Sequence, residues 1–174
     1  MRTPVVLALV AVAAAARATA AQPAAADPPP DWKPTEGTLR AGWMVGVIAS
    51  GDGGGGFNAP FVEAEGELRG KRVGGAFAIG LGMMMADGSD PVRFLTLAAR
   101  LRFHVGRAFF GPGVTLWAPL GTNGGGGIPL VELHVGYTFG SASQTAPQLF
   151  VSVAALAIDQ AAIATASAGI GMRF

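Results

Sequence analysis

Two histidines are the residues of this chain best suited to acid-base chemistry. A hydrolase needs a nucleophile beside a base, and an acidic group that orients the base. His134 lies two residues after Glu132, and Ser152 and Ser167 share the same polar face of their segments, so a Ser–His–Glu arrangement is open to this chain. His104 also lies on that face. Because histidines on a polar face are more often structural than catalytic, we expect polar histidines and no catalytic residues.

Two glycine runs and the scarcity of metal ligands bear on cofactor binding. A phosphate-binding loop continues with Lys-Ser or Lys-Thr and opens a helix. Gly53–Gly56 and Gly124–Gly127 lack both features, so we interpret them as flexible loop tips. Two histidines with no cysteine and no tight carboxylate cluster do not make a metal site. Neither a metal nor another cofactor is expected.

Nearly all charges of the alternating segments fall on one face. That face carries five arginines and four glutamates but no lysine, whereas a face selected for solubility usually includes lysine. A guanidinium group is a planar fork that matches a carboxylate, so this composition suits pairing in a confined space. We expect an inward charge network formed by Arg40, Glu63, Glu65, Glu67, Arg69, Arg100, Arg102, Glu132 and Arg173.

Eight segments of alternating apolar and small or polar residues must position these charges. A tilted membrane strand needs about 9–11 residues, which each segment provides. Pro112 predicts a bulge in the fifth segment or a later start, because proline lacks the ladder donor. The predicted strands are Leu39–Ile48, Pro60–Arg69, Val73–Met84, Val92–Val105, Ala108–Ala118, Leu130–Phe139, Gln148–Ile158 and Ile163–Phe174.

The N-terminus has the three parts of a secretory signal. A short positive region is followed by an apolar run, Pro4–Ala16, and by the small-residue cleavage site Ala18–Ala20. The run is shorter than the roughly 20 residues that span a bilayer. We therefore expect a cleaved signal peptide at 1–20, a Pro/Ala-rich disordered periplasmic leader at 21–37 and a β-barrel at 38–174. Cleavage removes Arg2 and Arg17 but no acid, so no basic surface for nucleic acid is expected.

The apolar content places the barrel in a membrane. The chain is 51% hydrophobic with 27 glycines, yet glycine and charges interrupt every candidate helical span after the signal. A closed barrel resolves this by turning apolar side chains to lipid. The longest glycine-rich connections follow odd segments and most of the tighter turns follow even ones, an asymmetry typical of membrane barrels. We expect the long loops on the outside of the cell. The start of the first strand and the end of the last strand should both lie on the periplasmic side.

The end of the chain, Ile170-Gly-Met-Arg-Phe174, completes a resemblance. With its secretory signal, its eight alternating segments and its terminal aromatic residue, the chain resembles the small eight-stranded outer-membrane β-barrels of Gram-negative bacteria. The resemblance implies an all-β, antiparallel, up-and-down transmembrane barrel surrounded by outer-membrane lipid. It also implies that the barrel-assembly machinery reads the last strand, where Ile170, Met172 and Phe174 match the alternating apolar positions of the family.

Three functions are compatible with this sequence. The favoured one is a structural or interaction barrel with a polar lumen plugged by side chains. A small transport or pore-forming barrel is the alternative, if the glycine-rich inner face of the third segment leaves a water path. A soluble lipocalin-like carrier is less favoured. Some barrels of this size are lipid-modifying enzymes, but Gly136 breaks the His-x-Ser pattern of lipid A deacylases, and no enzyme is expected. No specific ligand follows from the sequence.

Overall fold

The structure is a computed structural model that describes residues 35–50, 53–121, 126–140, 145–158 and 161–174. The predicted signal peptide at 1–20 and most of the predicted leader lie outside these residues. Within them the fold is all-β, and no helix is long and apolar enough to cross a bilayer. The strands are β1 Thr35–Ser50, β2 Gly53–Arg69, β3 Val73–Ala86, β4 Val92–Val105, β5 Ala108–Pro119, β6 Ile128–Thr138, β7 Ala146–Ile158 and β8 Ala161–Arg173.

The eight strands form one closed antiparallel barrel in chain order. The seam joins β1 to β8, from Thr38 opposite Arg173 to Ala49 opposite Ala162. Two further hydrogen bonds extend the seam to the end of the chain, since the Gly37 and Phe174 backbones exchange N–H···O bonds of 3.1 and 2.9 Å. Closure leaves no unpaired sheet edge, which the bilayer interior requires.

The strand period of two sorts side chains between the two faces of the barrel. On β4, Leu97, Leu101 and Phe103 are exposed, whereas the alternating Thr96 and Arg102 are buried. The same alternation holds around the barrel: most large aliphatic side chains point outward, and most charged side chains of the strands point inward together with rings such as Phe94 and Trp117. This arrangement inverts that of a soluble barrel.

The two ends of the barrel carry different connections. The connections after β1, β3, β5 and β7 lie at one end, here called the loop end. Those after β2, β4 and β6, together with Thr35 and Phe174, lie at the other, here called the turn end. Gly106, with φ of 60°, turns the chain between β4 and β5 in a left-handed conformation that favours glycine.

Two sequence boundaries were wrong. Gly53–Gly56, predicted as a loop tip, begins β2 and pairs with 47–50 of β1. Backbone groups alone make these ladder bonds, so the absence of side chains does not end the strand. Residues 35–37, assigned to the leader, belong to β1 and pair with 66–68. The other strand limits lie within two residues of the predicted ones.

Pro112 causes neither the predicted bulge nor a later strand start. The β4–β5 register is the same on both sides of it, with Arg100 opposite Gly113 and Phe103 opposite Phe110. The pairing to β4 is interrupted only between these positions. Toward β6, Pro112 pairs with Leu133. The strand therefore accommodates proline by losing a short stretch of one ladder rather than by inserting a residue.

Candidate functional site

The charged residues of the lumen reach one another across β3. Strand β2 presents Glu63, Glu65 and Glu67 inward, and β4 presents Arg100 and Arg102. The β3 residues between them are small: Gly74, Ala76, Ala78 and Gly80. Because these residues occupy little of the lumen, long side chains from β2 and β4 pass over β3 and meet.

Glu65 lies at the centre of the lumen charges. Its carboxylate oxygens lie 2.8 Å from a guanidinium nitrogen of Arg40, 2.8 Å from one of Arg100 and 2.5 Å from one of Arg102. The Glu65 side chain is only 1% exposed. An ionised carboxylate has about four acceptor positions, so it can satisfy several guanidinium groups at once.

Arg100 joins three strands. Its Nη1 and Nη2 donate to the two oxygens of Glu63 at 2.5 and 2.9 Å, the bidentate geometry that suits guanidinium. Its Nε donates to Glu132 on β6 at 3.2 Å. The Thr115 hydroxyl completes this corner by donating to Glu132 at 2.5 Å. One side chain of β4 thus links carboxylates of β2 and β6.

The network continues toward the turn end. Arg102 Nη1 donates to Glu67 at 2.7 Å, and His104 Nε2 lies 2.5 Å from the other Glu67 oxygen. Arg102 also lies over the ring of Phe109, 4.4 Å from its centroid. A desolvated cation over an aromatic face adds attraction to that of the ion pair.

Glu36 is a member of the network that the sequence interpretation missed. It is buried, and its Oε1 lies 3.1 Å from Arg69 and 3.5 Å from Arg173. Assigning it to the leader hid it, although it shares the alternation phase of Thr38 and Arg40. With Glu36 included, the described lumen holds five arginines and five glutamates, so its formal charges balance. We call this set the ionic cluster: Glu36, Arg40, Glu63, Glu65, Glu67, Arg69, Arg100, Arg102, Glu132 and Arg173.

All nine residues expected to share the inner face lie in the lumen and contact an opposite charge. Seven of them form the central group around Glu65. Arg69 and Arg173 meet instead at Glu36, near the turn end.

Aromatic side chains lie in the lumen toward the loop end. Phe94 stacks on Trp117 with centroids 5.2 Å apart, and Phe57 meets Trp117 edge-on at 6.0 Å. The sequence interpretation overlooked Phe57 and Phe94 as residues of the lumen. The sequence did contain a signal for them, since each lies an even number of residues from an inward-facing residue of its strand. We call the buried set the aromatic cluster: Met44, Phe57, Ala59, Phe94, Trp117 and Leu130.

Several lumen aromatics lie against a glycine of the neighbouring strand. The Phe94 ring covers Gly82, and the Phe57 ring covers Gly46, in each case where a Cβ would stand. Glycine thereby gives the ring its space in a barrel whose interior is only wide enough for side chains. The small residues of the inner face therefore leave the space that its large side chains occupy.

A cavity of about 40 Å³ lies between the two clusters. Its lining includes His134, Ser152, Thr165 and Ser167, and its size is enough for roughly three water molecules. The Ser152 and Ser167 hydroxyls bond each other at 2.7 Å. Within the described part of the chain, neither ring nitrogen of His134 has a hydrogen-bond partner.

The geometry therefore assembles no Ser–His–Glu relay. Glu132 is bonded to Arg100 and Thr115 rather than to His134. His104, the other histidine, contacts Glu67. Among the residues that the structure describes, no group of three or more His, Cys, Asp or Glu side chains could hold a metal ion.

A closed eight-stranded antiparallel barrel with an apolar exterior and a charged lumen has the architecture of the small outer-membrane barrels. No protein-family model and no curated protein sequence matches this chain. The solved structures that share its fold include the following two. Ail, the attachment invasion locus protein of Yersinia pestis, is 14% identical with a TM-score of 0.50, over 82% of this chain and 100% of Ail. Neisserial surface protein A (NspA) is 12% identical with a TM-score of 0.53, over 79% and 97%. The predicted fold class is thus confirmed.

Proposed function

We propose that this protein is an outer-membrane β-barrel with a structural or interaction role, whose lumen is closed by its own side chains. The exterior supports membrane insertion. Leu39, Phe77 and Ile170 are 58%, 68% and 65% exposed, and they belong to an apolar surface that surrounds the barrel. In water such a surface would drive aggregation, whereas in hydrocarbon it is matched by its surroundings.

The observation that carries a closed lumen is the succession of the two clusters along the barrel axis. Guanidinium and carboxylate groups from β1, β2, β4 and β6 meet across the lumen near the turn end. Aromatic rings meet across it near the loop end. A conducting pore needs a continuous water path, and each cluster obstructs that path by a different type of contact.

The pore alternative depends on space over the glycines of β3, and side chains occupy that space. A Cβ on Gly74 would lie 2.5 Å from Glu67 Oε1, and one on Gly80 would lie 2.5 Å from Thr96 Oγ1. Gly82 is covered by Phe94. The glycines admit the plugging side chains rather than water, which favours the closed barrel.

Electrophoresis and cell fractionation test membrane insertion. A folded membrane barrel resists detergent until it is boiled, because opening it breaks its ladders together. Unheated and boiled samples should therefore migrate differently on a detergent gel, and the protein should fractionate with outer membranes. Recovery of the folded protein in the soluble periplasmic fraction would support a lipocalin-like carrier instead.

Planar bilayer recording tests the closed lumen separately. The unmutated protein should show no or almost no conductance, because neither cluster leaves an open path. Stable, large single-channel steps would contradict the plug while leaving the membrane location intact, and would support the pore-forming alternative.

We further propose that the last strand is the assembly signal. Ile170, Met172 and Phe174 all point outward and are 65%, 46% and 64% exposed. Deleting Phe174 should reduce the amount of inserted barrel in cells more than it reduces the stability of refolded protein. A substitution at exposed Leu39 on the adjacent strand, Leu39→Ala, is the control for loss of an outward apolar group. Equal cellular yields with and without Phe174 would remove the assembly role.

A further inference from the structure

The charged residues in the described connections differ between the two ends of the barrel. Lys71 and Arg72 lie in the turn after β2 and Arg107 lies in the turn after β4; all three are exposed. The connections at 70–72, 106–107 and 139–145 contain no acidic residue. At the loop end, the described connection between β3 and β4 contains Asp87 and Asp90 and no basic residue. Among the described connections, those at the turn end are thus the basic ones.

The two basic turns are fixed to the neighbouring strands. The Arg72 carbonyl accepts a hydrogen bond from His104 N at 2.8 Å, and the Arg107 carbonyl accepts one from Thr138 N at 2.9 Å. Each turn is therefore bonded to the strand that follows its hairpin, and the three cations lie along one stretch of the rim. We call Lys71, Arg72 and Arg107 the basic rim.

An aromatic band lies on the outer face beside the basic rim. Phe103 and Phe110, which flank the β4–β5 turn, have centroids 5.7 Å apart. Tyr137 and Phe139, at the end of β6, are 5.0 Å apart and edge-on. Aromatic side chains are enriched where headgroups meet hydrocarbon. Their position sets this part of the barrel at the headgroup level, with the cations just beyond it.

We propose that the basic rim is a docking surface for the headgroups of anionic phospholipids in the leaflet at the turn end. The proposal rests on the membrane location proposed above and adds a lipid class to it. Arginine and lysine donate charge-assisted hydrogen bonds to phosphate oxygens. The aromatic band holds the rim at the depth of those phosphates. Each cation near an anionic membrane surface increases binding about fivefold.

Lipid titration of the folded, detergent-solubilised protein tests this proposal. Phosphatidylglycerol and phosphatidylcholine are added separately, and native mass spectrometry gives the dissociation constant of each. The unmutated barrel should prefer phosphatidylglycerol. Arg107→Gln should weaken that lipid about fivefold, and the triple variant Lys71→Gln/Arg72→Gln/Arg107→Gln should weaken it further. Phosphatidylcholine binding should not change.

Arg93→Gln is the matched control, because it removes one exposed arginine near the loop end, where aspartates are close in the chain. It should leave the preference intact. An unchanged preference in the triple variant, or equal losses in Arg93→Gln and Arg107→Gln, would overturn the proposal. Competition by inorganic phosphate as effective as that by phosphatidylglycerol would also overturn it, since a phosphate site would then explain the binding. Failure of the unmutated chain to give a heat-modifiable barrel in neutral vesicles would instead refute the membrane location.

Discussion

The side chains in the two halves of the lumen interact in different ways. Near the turn end, ten charged side chains pair across the barrel, and Glu65 alone contacts three arginines. Near the loop end, rings pack face to face or edge to face around Trp117. Ion pairing depends on the geometry of the donors and acceptors and on equal numbers of opposite charges, whereas ring packing depends on contact area and shape.

This difference predicts how much stability each half loses when one of its side chains is substituted. In the ionic cluster, removing one partner leaves a buried charge without compensation, and the penalty falls on residues that were not mutated. In the aromatic cluster, removing one ring leaves a void, and the neighbouring rings can relax partly into it. The ionic half should therefore be the more sensitive to a single substitution.

The largest effect is expected for Arg100→Ala. The substitution removes the link between Glu63 and Glu132 and should cost about 3–5 kcal/mol of unfolding free energy, the usual cost of breaking a buried pair. Arg107→Ala, which changes an exposed turn arginine, is the control and should cost little. Urea unfolding of both variants in the same vesicles measures the difference. Equal stability of the two variants would show that the network adds nothing.

Trp117→Ala tests the aromatic half. Loss of the ring that contacts Phe57 and Phe94 should cost about 3 kcal/mol through the cavity it leaves. Trp43→Ala is the matched control, because Trp43 is 51% exposed on the outer face. The same unfolding measurement applies. If the Trp117 variant lost more stability than Arg100→Ala, the ranking of the two halves would be reversed.

A smaller effect is expected when a methyl group is added to the ionic half. The Cβ of Gly74→Ala would lie 2.5 Å from Glu67 Oε1 and 3.3 Å from His104 Nε2, so that pair must shift, at a cost of about 2 kcal/mol. At the adjacent Gly75, a Cβ would meet nothing within 4 Å. Gly75→Ala should thus be neutral or slightly stabilising. Similar losses for both variants would point to a backbone effect and not to the charge network.

The smallest effect is expected at the rim of the ionic cluster. Glu36→Gln keeps an amide oxygen that can accept hydrogen bonds from the two arginines, Arg69 and Arg173, so we expect a cost of about 1 kcal/mol. Glu65→Gln makes the same change at the centre, among three arginines, and should cost severalfold more. Equal costs would mean that the number of arginines around the carboxylate does not matter.

The success of the sequence interpretation varied from strand to strand. Both limits of β4, Val92 and Val105, were predicted, because strict alternation there is bounded by turn residues on both sides. The start of β2 was misplaced by seven residues, because glycine pairs through its backbone yet resembles a loop in sequence. Glu36 was lost for a related reason, since prolines in the preceding segment made the whole stretch resemble a linker.

What the sequence determined by itself is the face that each side chain occupies. Strand alternation is a local property with a period of two. Once one charged residue of a segment is assigned to the inner face, the faces of all its neighbours follow. The tertiary structure decided which side chains meet. The pairing of Arg100 with both Glu63 and Glu132 depends on closure, on the register of β2 to β6 and on the small side chains of β3. These relations join residues far apart in the chain, and local periodicity carries no information about them.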